Sequence, residues 1–276
     1  MESQKESLVL ASKQVRKQVL AMVHASGSSH VGASLSAVDI LVSLYFKVLR
    51  IDPAKPDDPA RDRLLLSKGH GCAALYATLA ERGFADKKIL DGFSVDAGTL
   101  WGHSTWKTMP GIEASTGSLG HGLPLGAGMA LAAKADGRGS RVFVILGDGE
   151  CDEGSVWEAA MFAGHHKLDN LVAIVDYNKI QSLGSVKDVL DLEPFADKWR
   201  AFGWAAREIN GHSHEEIIAA LSEVPFQPGK PSVVIAHTVK GKGVSFMENE
   251  LAWHYKSPDA GQLKAAHGEI DEESAR

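Results

Sequence analysis

Cysteine is nearly absent from this sequence: Cys72 and Cys151 are the only two in 276 residues. That excludes a disulfide framework, a paired-cysteine metal knot and a CxxC redox motif, and it fits a reducing compartment. Long apolar runs are missing as well. No window approaches the length of a membrane span, and the start, MESQKESLVL, has neither the basic flank nor the continuous apolar stretch of a secretory signal. The expected location is the cytoplasm. Charge of one sign is not in large excess: 29 Lys and Arg stand against 35 Asp and Glu, a net charge of −6. This argues against a broad electrostatic grip on nucleic acid or an anionic membrane, so any bound anion must be held by a local site. Internal repeats, low-complexity tracts and linkers able to split the chain are also lacking. With 44% hydrophobic residues, the chain can bury a full core as one domain over 1–276.

What is present is alternation. The segment ESLVLASKQVRKQVLAMVHAS places Leu8, Ala11, Val15, Val19 and Met22 at helical spacing and stops at Gly27. SAVDILVSLYFKVL predicts a second helix, ended by Asp52-Pro53; RLLL is a short strand, and GCAALYATLAERG another helix. Further on, RVFVIL (141–146), LVAIVD (171–176), GWAAREI (203–209) and SVVIAHT (232–238) read as strands. Helices near 154–167, 193–202 and 213–223 separate them. Apolar strands with intervening helices predict an α/β fold, a parallel sheet covered by helices on both faces.

Ligands of such sheets bind outside the carboxyl ends of the strands. That rim carries GDG (147–149) after RVFVIL and DYNKIQ (176–181) within and after LVAIVD. Gly147 and Gly149 let backbone N–H groups approach a phosphate, and a helix starting near Gly154 offers its positive end. Asp148 between them is wrong for a bare phosphate. A carboxylate beside a diphosphate is repelled unless a divalent cation lies between, and Mg²⁺ takes oxygen ligands from one or two carboxylates plus substrate phosphates. Asn178 and the backbone of Ile180 can add neutral oxygens. Alone, Asp148 is an ordinary helix cap and Asn178 an ordinary turn residue; the pair on one rim carries the information. A dinucleotide fingerprint is the weaker reading, because GDGECDEG is not GxGxxG.

The stretch GDGECDEGSVWEAAMFAGHHKLDNLVAIVDYNKIQ resembles the thiamine-diphosphate motif, in the wording of the transketolase family. SSHVGASLS, LSKGHGCAALYA, PGIEASTGSLGHGLPLGAGMALA and AWHYKSP agree with that family in the same order. The resemblance covers nearly the whole chain, but only the amino-terminal, diphosphate-binding half of a full-length transketolase. It implies a thiamine-diphosphate-binding fold with Asp148, Asn178 and the Ile180 carbonyl on Mg²⁺, and Gly149 and His70 against the diphosphate. It places Gly117 and Leu119 along the cofactor, and Glu153 and Glu158 at an interface between protomers near its aminopyrimidine. On spacing alone the two glutamates are first- and second-turn helix acids.

Twelve histidines invite a zinc reading, but neither HExxH nor paired Cys/His spacing occurs, and HSHEE (212–216) is expected to open a surface helix. His30, His70, His103 and His254 instead match the family's active-site histidines. Imidazole suits cleavage of a ketose carbon–carbon bond, which needs protons moved at neutral pH. The resemblance thus implies catalytic roles for His30, His103 and His254, with His70 and His254 also at the cofactor. Two departures are Val31, where many family members have proline, and His121, where glutamine is usual.

The family activates its cofactor through a glutamate on a pyrimidine-binding domain, which this sequence does not contain. The resemblance therefore implies the amino-terminal subunit of a split transketolase. Its partners would be a second copy of itself and a carboxy-terminal, pyrimidine-binding subunit, in a heterotetramer acting on sugar or sugar-phosphate substrates. An α-type subunit of a 2-oxoacid dehydrogenase, or a noncatalytic diphosphate- or nucleotide-binding module, are the alternatives; a mere binder needs Asp148 and Asn178 but not the histidines.

Overall fold

In the computed structural model, which describes residues 2–272, the chain enters as helix α1, Glu2–Ser26. Its spaced apolar residues Leu8, Ala11, Val15, Val19 and Met22 are all buried. It stops at Gly27, whose φ of 62° is the left-handed conformation that ends helices. The next helical stretch departs from the expected single helix. Val31–Ser36 (α2) begins earlier, Val38–Ser43 (α3) follows after a break at Ala37, and Leu44–Val48 winds as a π-helical turn. Every residue of α2 and α3 is buried, so no polar face marks where one segment yields to the next.

Strand β1 (Arg63–Leu66) leads to α4 (Cys72–Arg82), and a long loop reaches α5 (Gly122–Ala135). Then β2 (Val142–Gly147), α6 (Gly154–His165) and β3 (Leu171–Tyr177) alternate. A short turn α7 (Val186–Val189), α8 (Phe195–Ala201), β4 (Ala205–Asn210), α9 (His214–Ser222) and β5 (Ser232–His237) follow. The closing helix α10 (Ala260–Glu272) packs on α1. Only Ala266 and Ile270 of α10 are buried, too sparse a stripe to predict it from the sequence. Among the described residues no helix is long and apolar enough to cross a membrane.

All neighbouring strands pair in parallel, in the order β1-β2-β3-β5-β4. Each strand feeds side chains alternately to two cores. Phe143, Ile145, Val172, Ile174, Val234 and Ala236 join the core beneath α1 to α4, whereas Val142, Val144, Ala173, Val175, Val233 and Ile235 join the core beneath α5, α6 and α8. Burial on both faces is why these strands read as continuous apolar runs. The carboxyl ends of β2, β3 and β5 lie side by side, with Gly147, Asp176 and Ala236 in register through the ladder.

HSHEE differs from expectation. Ser213 caps α9 through the Glu216 amide, but His214 is buried and its imidazole meets Ser12 at 3.2 Å and Ser43 at 2.7 Å. His212 reaches Asp39 with Nδ1 at 2.8 Å, while its Nε2 accepts the Val239 amide at 2.8 Å. Asp39 also receives both terminal nitrogens of the Arg16 guanidinium at 3.0 and 2.6 Å, and Arg16 Nε donates to the Lys242 carbonyl at 3.2 Å. These histidines are pinned by partners far away in sequence, which local spacing cannot reveal.

Burial alone would raise the Asp39 carboxyl, but the charge of Arg16 and hydrogen bonds from His212 and Arg16 outweigh it and hold Asp39 well below the usual carboxylate range. A depressed carboxyl stabilises the fold above the ordinary aspartate range, near pH 4, and this stabilisation is lost as pH falls below it. Asp39→Asn, which strands Arg16, is expected to cost about 3–5 kcal/mol of unfolding free energy at pH 7. Denaturant titration at pH 7 and again at acid pH checks both size and sign: the deficit should shrink on acidification.

Candidate functional site

A cleft of about 260 Å³ opens at the carboxyl ends of β2, β3 and β5. Its lining includes the backbone turn Gly147–Gly149, Asn178 and Ile180 after β3, and Lys240 after β5. Asp148 caps the 3₁₀ turn Gly149–Asp152, accepting the Gly149 amide at 2.7 Å with Oδ1; its Oδ2 accepts the Lys179 amide at 2.6 Å. Asn178 Oδ1 accepts the Ile180 amide at 3.1 Å, a turn of the kind asparagine favours. The ordinary capping and turn readings therefore hold, and the same contacts fix both oxygen-bearing side chains at the rim.

The electrostatics of that rim fit a cation. Burial, followed by the charge of Asp176, raises the Asp148 carboxyl to about 6. A divalent ion held by Asp148, the Asn178 side chain and the Ile180 carbonyl would reverse that penalty. Two glycines of the lining are packed tightly against neighbouring side chains. A Cβ at Gly149 would come within 2.9 Å of Gln181 Cγ, and one at Gly117, where φ is 138°, within 2.7 Å of the His103 ring. Both glycines line the cleft, so chain and ring approach each other there as only glycine permits.

His30, His70, His103 and His254 converge in the cleft from four segments. The His30 ring centroid lies 5.2 Å from that of His70, 6.1 Å from His103 and 5.1 Å from His254, and His70 is 5.9 Å from His254. His30 stands at the N-terminus of α2 with a left-handed φ of 71°, its amide donating to the His254 carbonyl at 3.0 Å. Such a backbone is costly for a non-glycine residue and is held by its surroundings. Burial, then neighbouring His103, Lys240 and Lys68, lowers His30 to about 4; burial, then Lys240, His30 and Lys68, lowers His254 to about 3. His70 is pushed well down by burial and then Lys68. His30 and His254 are charged only below these lowered values, so both imidazoles are neutral at pH 7.

Three groups in the cleft were not legible as site residues. Lys240 Nζ donates to the Ile180 carbonyl at 2.9 Å and lies 3.0 Å from His254 Nδ1; burial, then Lys68, lowers it to about 8. Lys68 is buried against Asp176 and the Ala33 carbonyl, the latter at 2.9 Å. Glu150 is buried between the amides of Gly120 (2.9 Å) and Gly147 (3.1 Å) and the Ser67 hydroxyl, tying the Gly117–Gly122 loop to the GDG turn. One signal was available: Asp176 sits inside a run buried at every position, and a carboxylate there demands a partner.

Leu119 lines the cleft beside Gly117, whereas Glu153, at the cap of α6, and Glu158, on α6, are exposed outside the lining. The helix end at Gly154 is not in the lining either, because the 3₁₀ turn Gly149–Asp152 intervenes between the GDG turn and α6. Val31 is buried in the first turn of α2, and His121 is exposed at the start of α5, its Nδ1 3.1 Å from the Leu119 carbonyl.

The fold is thus an α/β domain whose parallel sheet gathers Asp148, Asn178 and four imidazoles in one cleft at its carboxyl rim. Residues 9–270 match the family described as transketolase, thiamine diphosphate binding domain. A protein of Phocaeicola vulgatus named as one subunit of an apulose-4-phosphate transketolase is 44% identical over 98% of this chain and 95% of its own length. The 6-deoxy-6-sulfo-D-fructose transketolase subunit SqwG of a Clostridium species is 45% identical over 95% of each. The solved transketolase of Campylobacter jejuni superposes with a TM-score of 0.89 at 33% identity, over 96% of this chain but only 42% of that one. The chain belongs to the transketolase family, and it spans less than half of that solved relative.

Proposed function

We propose that the chain is the amino-terminal subunit of a two-chain transketolase, a single thiamine-diphosphate-binding domain over 1–276. It transfers a two-carbon ketol unit from a ketose or ketose phosphate to an aldose or aldose phosphate. The observation that carries this is the meeting, in one cleft, of the Asp148–Asn178 rim with the imidazoles of His30, His70, His103 and His254. A binding module has use for the rim alone. Thiamine diphosphate, when bound, supplies the electron sink for carbon–carbon cleavage. Asp148, Asn178 and the Ile180 carbonyl would hold Mg²⁺, and Gly149, His70, Gly117, Leu119 and His254 would lie along the cofactor. His30 and His103, with His254, take and return protons at substrate hydroxyl oxygens.

A second polypeptide is supported from two sides. The relatives at near-equal length are named as subunits. α5 and α6 pack together and leave Leu125 and Leu131 of α5 and Met161 and Phe162 of α6 exposed. Glu153, the cap of α6, and Glu158, on it, are exposed as well, where an interface would cover them. A carboxy-terminal, pyrimidine-binding subunit on this side would complete the cofactor site. A heterotetramer, with a second copy of this chain, follows from the preference for closed two-fold assemblies. Soluble, cytoplasmic operation fits the composition.

The cofactor reading is tested by calorimetric titration of the chain, with its partner, with thiamine diphosphate in the presence and absence of Mg²⁺. Binding is expected only with the metal. Binding of equal strength in EDTA, or none in either condition, contradicts it.

A further inference from the structure

Lys68, in the lining of the cleft, forms a buried ion pair with Asp176. Lys68 is 1% exposed and Asp176 0%. A buried pair of this kind is weak evidence for stability, since well-packed neutral residues often replace one without loss. Its contacts are what single it out. Lys68 Nζ donates to the Ala33 carbonyl and to Asp176, and the Asp176 carboxylate also accepts from Ser36 Oγ at 2.6 Å and from Thr238 Oγ1.

Each contact fastens a segment that bears a group of the cleft. Ala33 and Ser36 belong to α2, which begins immediately after His30. Lys68 precedes His70 by two residues, Asp176 precedes Asn178 by two, and Thr238 precedes Lys240 by two. Gly71 keeps the space open, since a Cβ there would lie 3.2 Å from Lys68 Cε. Four segments from distant parts of the chain are thus held to one buried charge pair, each within one turn or two residues of a cleft side chain.

We propose that Lys68 is a positioning residue of the cleft: with Asp176 it sets the register of the segments bearing His30, His70, Asn178 and Lys240, and tight binding of Mg²⁺–thiamine diphosphate depends on it. This rests on the diphosphate reading of the cleft. Two of the three ammonium N–H groups are taken by Ala33 and Asp176, and through them Lys68 ties those segments together.

Two variants test it in the chain assembled with its partner: Lys68→Met, and the double variant Lys68→Met, Asp176→Asn, which removes both charges of the pair. The readouts are thiamine diphosphate affinity at saturating Mg²⁺, melting temperature without cofactor, and the pH profile of turnover. The double variant is expected to melt within a few degrees of wild type yet bind the cofactor about 10–100-fold more weakly, as loss of a supporting partner does. Its acid limb should move upward, because His30 faces Lys68, Lys240, His70, His103 and His254, and one of the two lysine charges is gone. Lys68→Met alone should lose melting temperature as well. Wild-type affinity in the double variant overturns the proposal, showing the pair to be replaceable. Failure of the double variant to fold overturns it too, making the pair an element of the fold. Absence of Mg²⁺-dependent binding in wild type would instead remove the diphosphate reading, and this inference with it.

Discussion

His30→Ala and His103→Ala are expected to lower turnover of the assembled enzyme by about 10²–10⁴-fold, the usual loss when a general acid or base is removed. Cofactor affinity should change far less. The basis is geometric: His30 sits at the crossing of the imidazole cluster, 5.1 Å from His254 and 5.2 Å from His70, with its backbone held at a φ of 71°. His103 lies against Gly117, on the loop that also brings Leu119 to the cleft. The depressed value of His30, about 4, keeps it neutral through the neutral range; as pH falls toward that value, the acceptor is lost and turnover should fall with it. Steady-state kinetics across pH, with calorimetry of the cofactor on the same variants, separates the two effects. Wild-type turnover in both variants would make these histidines structural.

The second large effect is on binding. Asp148→Ala or Asn178→Ala should remove Mg²⁺-dependent affinity for thiamine diphosphate and leave the fold intact, since each deletes one oxygen at the strand ends while β2 and β3 keep their ladder. Asp148 is the stronger case. Its carboxyl is raised to about 6 by burial and by Asp176, a penalty that a bound divalent cation would offset. Unchanged affinity in both variants by calorimetry would sink the assignment of the metal rim.

The strands were legible because a parallel sheet buried on both faces writes itself as short apolar runs, and β2, β3 and β5 fall within a residue or so of those runs. The rim was legible because a carboxylate between two glycines has no place beside a bare phosphate. Segments without contrast were not legible. α2, α3 and the π turn are buried throughout or nearly so, and the break at Ala37 leaves no trace in polarity; α10 buries too little to show a stripe. Lys68 and Lys240 were hidden for the opposite reason: a lysine reads as surface until its partners are known, and Asp176, Ala33 and Ile180 come from far along the chain. His212 and His214 read as surface for the same reason, and Asp39, Ser12 and Ser43 show otherwise.

On the proposed reading the cleft supplies one wall of the cofactor site, and Leu125 and Leu131 of α5 with Met161 and Phe162 of α6 are exposed for a partner to cover. The most direct measurement of the account is therefore ketol transfer by the purified chain alone and after mixing with a carboxy-terminal transketolase subunit, with the size of each species determined alongside. The account predicts no transfer by the isolated chain, and transfer together with a larger assembly once the second polypeptide is added. Robust ketol transfer by this polypeptide without a partner would contradict it.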